Sequence, residues 1–160
     1  MNIRLAQPQD DDGIWAVLEP MVRAGDSYTL PRDWSRAQTL AYWMGEGMTV
    51  FVAEESDTVL GTYYIRANYK GGGAHTANCG YVVHPNAEGR GLARKMAEHS
   101  IAAAQAYGFR AMQFNFVIAT NHAALKLWPS LGFEKIGCIP QAFNHPTDGF
   151  VDAYIFHRAL

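Results

Sequence analysis

Long apolar runs, clustered cysteines and an excess of charge of one sign are all missing from this chain. No uninterrupted apolar stretch reaches the length that spans a bilayer, so a cytoplasmic domain with no membrane partner is expected. Two cysteines, Cys79 and Cys138, are too few for a disulfide framework and read as buried free thiols. Neither Cys-x-x-Cys nor His-Glu-x-x-His occurs and the histidines are scattered, so no metal is expected. A formal net charge of −2 offers no basic surface to nucleic acid. No Gly-Lys-Ser or Gly-Lys-Thr follows a glycine turn, which excludes a Walker-type loop.

What is present is ordinary globular material, 49% apolar and 18% charged over 160 residues, which predicts one domain over 1–160 with a full core. Ile3 and Leu5 alternate in a first strand over 2–6. Gln7-Pro8-Gln9-Asp10 turns into a helix from Asp11 or Asp12 with a broad apolar stripe that includes Ile14, Val17, Leu18 and Val22. Pro20 is expected to kink or shorten it, and Ala24-Gly25-Asp26 to end it. A loop over 27–33 leads to a second helix over 35–44, with Leu40 and Trp43 inward. Strands over 49–54 and 59–67 make a hairpin about Ser56-Asp57, and a long glycine-containing connection follows over 68–76.

The stretch 77–97 organises the rest. Its strand puts Cys79, Tyr81 and Val83 on one face and Asn78, Gly80 and Val82 on the other. His84-Pro85 stops the strand, 86–90 is a polar turn, and a helix runs from Gly91 to about 107, ended by Gly108. The first N–H groups of a helix lack intrahelical partners, and its dipole adds positive charge there. Gly89 and Gly91 let a ligand approach the backbone, and Arg90 and Arg94 bring charge. The outcome is a phosphate cradle or an ordinary connection; a dinucleotide fingerprint would need a third glycine.

A strand over 110–118 follows, with Met112, Phe114 and Phe116 on one face and Gln113, Asn115 and Val117 on the other. A strand–helix–strand crossover of this length requires a parallel pair. Thr120 or Asn121 caps a short helix to Leu131, a strand covers 132–139, a loop 140–149 and a last strand 150–157.

Glu88-Gly89-Arg90-Gly91-Leu92-Ala93, after Val83-His84-Pro85, resembles motif A of the GCN5-related N-acetyltransferase (GNAT) family, Arg/Gln-x-x-Gly-x-Gly/Ala. Gly91 and Ala93 match. Glu88 departs, and its carboxylate is expected to point away from a pyrophosphate. Asn121, Ala124, Leu127, Gly132 and Phe133 resemble the family's second landmark, Asn-x-x-Ala-x-x-Leu-Tyr-x-x-x-Gly-Phe. Trp128 stands where the family has a tyrosine that often protonates the departing thiolate; an indole is no useful acid, so Trp128 reads as packing beside the cofactor. The element order β-α-α-β-β-β-α-β-α-β-β is also the family's.

The resemblance implies an α/β (α+β) fold of the GNAT acyl-CoA N-acyltransferase type, a mixed central sheet of about seven strands flanked by about four helices. It implies acetyl-CoA as cosubstrate, no metal, and an amine acceptor, in first place an amino acid or analogue. Backbone groups of Tyr81, Val82 and Val83 would bond the pantetheine arm, with the Val83 N–H polarising the thioester. Main-chain N–H groups of Glu88, Gly89, Arg90, Gly91, Leu92 and Ala93 would hold the pyrophosphate, and Asn121 would contact the cofactor further on.

No Asp or Glu lies on the two strands that would flank the thioester, so no carboxylate base is expected. Asn78 and Asn115 stand there instead and read as a pair that positions the acceptor, because mid-strand asparagine is disfavoured by propensity. Tyr28 and Tyr64 are further acceptor-side candidates. Arg66 would bind an acidic group or be solvated, Cys79 is a buried thiol, His75 before the strand reads as a surface residue, and His145 and His157 have no evident partners. A looser resemblance is to fungal N-acetyltransferases acting on proline analogues such as azetidine-2-carboxylate, through Asn78 with Gly80 and Val83, Asn115 with Val117 and Asn121, and Leu127-Trp128. Acetylation of a peptide amine and a non-catalytic acyl-CoA sensor are the rival readings; a homodimer is left open.

Overall fold

Alternating and helically spaced apolar residues resolve into seven strands and four α-helices, in the order the sequence predicts. The computed structural model describes residues 1–160. The elements are β1 (Asn2–Leu5), α1 (Asp11–Ala24), α2 (Arg36–Trp43), β2 (Thr49–Glu55), β3 (Thr58–Ala67), β4 (Thr76–Val83), α3 (Leu92–Ala106), β5 (Ala111–Ile118), α4 (His122–Ser130), β6 (Glu134–His145) and β7 (Gly149–Ala159). One sheet carries all the strands in the order β1-β2-β3-β4-β5-β7-β6. Every neighbour is antiparallel except β4 and β5. No helix is long and apolar enough to cross a membrane.

Each face of the sheet buries its own core. Ile14, Val17 and Leu18 of α1 and Trp43 of α2 pack on Val50, Val52, Tyr64 and Val82. On the other face Leu92, Met96 and Ile101 of α3 and Trp128 of α4 pack on Phe51, Tyr63, Met112 and Phe114. The fully buried Trp43 indole donates to Thr62 Oγ1 at 3.1 Å, so burying its N–H leaves nothing unpaired. Truncating a fully buried residue such as Leu18 costs about 2–5 kcal/mol.

Helix ends follow local chemistry. Ser35 and Gln38 form a reciprocal capping box at the start of α2. Gly25, at φ 61°, ends α1 and gives its N–H to Met21 O. Pro20 lies inside α1 without stopping it. Of the two candidate caps for α4, Asn121 is the one used, its side chain accepting from Ala124 N at 3.1 Å.

Four expectations need correction. Residues 140–149 are not a loop: β6 runs to His145 and β7 begins at Gly149. Pro140 is tolerated because β6 is the last strand of the sheet, where its missing donor breaks no second ladder. The register slips between Ile139 and Phe143, and Gln141 takes a φ of 48° with its N–H on Asp152 Oδ1. Second, β5 keeps strict alternation only to Phe114. A bulge between Phe114 and Val117 turns Val117, rather than Phe116, onto the α3 side. Third, Cys138 is exposed, because it lies on that edge strand. Fourth, His145 has partners: its Nδ1 accepts from Thr147 N at 3.3 Å and lies 3.6 Å from Asp148.

Candidate active site

The parallel pair parts almost as soon as it forms. Only Thr76 with Ala111 and Ala77 with Met112 are in register, and beyond them β4 and β5 no longer pair. A cleft of about 940 Å³ runs through the opening. It extends from the turn before α3 to the polar face beneath the loop between α1 and α2.

Which backbone groups face this opening follows from register. His84 N donates to Leu60 O and Asn68 N to Thr76 O, at the two ends of an unbroken antiparallel ladder. Even-numbered residues of β4 therefore exchange hydrogen bonds with β3, and the main-chain groups of Cys79, Tyr81 and Val83 point into the cleft. By the same alternation Val82 gives its main chain to β3 and only its side chain to the cleft wall. Its side chain packs with α1. The Tyr28 hydroxyl reaches in from the loop after α1. It accepts from Tyr81 N–H at 2.7 Å and donates to Tyr81 C=O at 3.0 Å.

At one end of the cleft, no main-chain N–H from Gly89 to Arg94 has an acceptor within the protein. Gly89 and Gly91 have φ of 72° and 74°, and a Cβ on either would meet nothing within 4 Å. The turn thus presents open, unpaired donors at the N-terminus of a 15-residue helix, which suits an anion. Arg94 lines the cleft, with one guanidinium nitrogen 2.7 Å from Ser130 Oγ. Arg90 brings no side-chain charge there: it pairs with Glu55 at the end of β2, a nearer anion. The Glu88 side chain is exposed and makes no ion pair. Asn121 lines the cleft while its Oδ1 caps α4.

The other end is built from side chains on one face of β3, β4 and β5. A Cβ on Gly80 would sit 2.7 Å from the Tyr64 ring, so the glycine is what lets that ring lie across β4. Asn78 is buried; its amide donates to Gln113 O at 3.0 Å, bridging the strands where the ladder has ended. Asn115 makes a reciprocal amide pair with Asn68, at 2.6 and 3.2 Å, and accepts from Gln113 Nε2 at 3.0 Å. Both asparagines line the cleft, and both are already tied into the protein's own network. Asn68 was not singled out from sequence, since its partner Asn115 lies 47 residues on, on another strand; Gln113, which reaches Asn115 two residues along β5, was not singled out either. The mid-strand Gly80 was a usable signal, because glycine inside a strand marks a close approach.

Proton-bearing groups here stay neutral. Burial raises the Tyr28, Tyr64 and Tyr81 hydroxyls above the ordinary phenol range. The Cys79 thiol is pushed up to about 12 by burial, which removes it as a nucleophile near neutrality. Trp128 is buried against Phe114 and Tyr81, with ring centroids 4.4 and 5.3 Å away. The Tyr81 hydroxyl meets Ser100 Oγ at 2.7 Å on the α3 side.

Such a cleft suits an elongated ligand with a phosphorylated end and a reactive end, as an acyl-CoA has. The model of the acetyltransferase (GNAT) family matches residues 15–133, and the chain belongs to that family. It is 37% identical to N-acetyltransferase aca1 of Schizosaccharomyces pombe over 100 residues, 62% of this chain and 48% of that protein. Over 110 residues it is 34% identical to the L-amino acid N-acyltransferase MnaT of Escherichia coli, covering 68% of this chain and 60% of that one. The match thus spans roughly half to three-fifths of those relatives' lengths. A GCN5-related N-acetyltransferase from Kribbella flavida superposes with a TM-score of 0.94 at 39% identity, covering 99% of this chain and 97% of that one. The yncA protein of Salmonella typhimurium, solved with its cofactor acetyl-CoA, superposes at 0.86 with 26% identity, covering 100% of this chain and 94% of that one.

Proposed function

We propose that this chain transfers the acetyl group of acetyl-CoA to the amine of a small molecule, an amino acid or an amino-acid analogue, by direct attack in a ternary complex. One observation carries the reading: a single cleft joins the unpaired N–H groups of Gly89 to Arg94 to a polar end through the gap between β4 and β5. The N–H groups of Gly89 to Arg94 suit a pyrophosphate, since Gly89 and Gly91 leave the approach open, whereas the Glu88 N–H, expected to join them, already donates to Pro85 O at 3.3 Å. Val83 offers its main chain to the arm in the gap, and a main-chain N–H there can stabilise charge developing on a carbonyl oxygen. The main chain of Tyr81, expected to bond the arm as well, is already held at both N–H and C=O by the Tyr28 hydroxyl, which the arm would have to displace. Bound in this way, acetyl-CoA supplies an activated acetyl thioester. Asn78 and Asn115 wall the acceptor end with Tyr28 and Tyr64, and none of these takes up a proton at neutral pH. The acceptor must therefore enter with its amine neutral or lose the proton to water, which a partly desolvated wall favours by lowering the amine's pKa. The name of the E. coli relative, an L-amino acid N-acyltransferase, supports the acceptor class.

The test is thiol release from acetyl-CoA across a panel of free amino acids, cyclic imino acids such as azetidine-2-carboxylate, and peptides with free N-termini. Release with free amino or imino acids is expected. Release with peptides alone moves the acceptor class to peptide amines. Tight CoA binding with no release for any amine makes the chain a sensor.

A further inference from the structure

We infer that Arg66 is the anchor for a carboxylate on the acceptor, which makes the substrate a free amino acid rather than a bare amine or a peptide N-terminus. This rests on the acetyl-transfer reading for its context but on separate observations for its residue. Arg66 lies on β3, directly opposite Asn78 on β4, and lines the acceptor end of the cleft. Its side chain makes no hydrogen bond and no ion pair, and its Nε is shut off from water with no partner at all. Arg4, Arg36, Arg90 and Arg94 each pair with a carboxylate, and Arg110, which has no partner, is exposed. A partly buried guanidinium with an orphaned N–H is costly to keep, and folding alone gives no reason to keep it.

The surroundings leave one kind of ligand. Tyr64 lies beneath the guanidinium, 6.0 Å from its carbon to the ring centroid, and limits the directions from which it can be met. Next to it are neutral amides, Asn78, Gln113, Asn115 and Asn68, which bond to one another and to backbone rather than to Arg66. The cleft's other charged side chains are Asp26 on the loop after α1, and Glu88 and Arg94 at the far end. None of these lies within ion-pair distance of Arg66. A planar fork of donors with no internal anion matches a carboxylate bidentately. Asn78 to Tyr81 spans about 10 Å of strand, and the arginine side chain covers part of it, so a carboxylate on Arg66 leaves the amine of a small amino acid facing the Tyr81 end. A peptide N-terminus carries an amide where this carboxylate would be.

The full chain is tested with acetyl-CoA and three matched probes: the free amino acid acetylated fastest in a panel of twenty (or, if none is acetylated, the one that binds CoA-loaded protein most tightly), its C-terminal amide, and its decarboxylated amine. The wild type should favour the acid over both by about 10- to 100-fold in kcat/KM, the range of a charge-assisted hydrogen bond. Arg66→Gln should remove that preference by raising KM for the acid, with kcat and CoA affinity retained and the two probes that lack a carboxylate unaffected. Its melting temperature should hold or rise, since an unsatisfied group is removed. Equal wild-type rates on acid and amide, or an Arg66→Gln loss that falls equally on all three probes, overturns the inference. Calorimetric titration of the same probes into CoA-loaded protein separates it from the activity reading. If no probe is acetylated but only the acid binds, and Arg66→Gln abolishes that binding, the anchor stands and acetyl transfer falls. If the acid binds no better than its amide, the anchor falls whatever the turnover.

Discussion

Gly91 is where the cradle can be tested without touching any side-chain chemistry. Its φ of 74° lies in the left-handed region, and the space around a would-be Cβ is empty for 4 Å. Gly91→Val should therefore fold, with the cost coming from backbone strain and not from a clash. That strain is about 1–2 kcal/mol for an L-residue in this conformation. For a domain of this size it lowers the melting temperature by roughly 2–8 °C. The effect on binding should be larger. The valine side chain would occupy the open face over which the N–H groups of Gly89 to Arg94 reach an anion. Hydrogen bonds to a charged group are worth about 1.5–3 kcal/mol each. Loss of one or two raises the CoA dissociation constant by about 10- to 10,000-fold. Calorimetric titration with CoA, and in parallel with pantetheine, isolates the phosphate share, because pantetheine lacks the pyrophosphate. The variant should lose affinity for CoA and keep its weak affinity for pantetheine. A folded Gly91→Val protein with wild-type CoA affinity, or one that loses both ligands equally, refutes the cradle.

Other outcomes follow from the same geometry. Asn115→Ala strands the Asn68 amide, and Asn78→Ala frees Gln113 O; each should cost about 1–3 kcal/mol by thermal melt. If they also position the acceptor, kcat/KM falls about 10- to 1,000-fold with CoA affinity unchanged, whereas normal acetylation by both variants leaves them a purely structural role. Trp128→Phe should cost about 1–3 kcal/mol through lost packing on Phe114 and Tyr81, yet keep kcat within about tenfold. A fall of roughly 100-fold or more, with normal CoA binding and a normal melt, would give the indole a chemical role. Asp10 is buried and accepts from Arg4 at 2.7 and 2.9 Å, and that bond holds its carboxyl below the usual range. A depressed folded pKa stabilises above the unfolded value, about 3.9, and the contribution is lost as pH falls through the folded one. Asp10→Asn should thus lower the melting temperature at pH 7 and flatten its decline below about pH 4, and an unchanged acid limb would count against the pair.

The order of elements and the parallel pair were legible because they depend on local periodicity and on crossover length. The turn before α3 was legible for the same reason: a strand end, a glycine turn and a helix start are contiguous in the chain. The strand-face assignment of Val82 also followed from alternation and places it with α1. Local pattern failed where pairing partners decide. The bulge at Phe114 and Val117 is set by the register with β7, and the continuation of β6 through Pro140 by its place at the sheet edge. Neither is encoded within a short window. The same holds for Arg90, whose partner Glu55 lies on another strand.

The sequence alone determined that a helix N-terminus with two glycines would follow a strand, since backbone freedom and unpaired first-turn donors are properties of the local chain. It also determined that the neighbouring strands would carry asparagines and no carboxylate. Only the tertiary structure decided what those residues face. Register turned the main chain of Tyr81 and Val83 toward the gap and that of Val82 toward β3. The absence of a Cβ at Gly80 let Tyr64 cross the strand, and packing left Arg66 without an anion at the polar end of the cleft. Those facts depend on which distant segments come together, and a hydrogen bond or an orphaned charge exists only once its surroundings do.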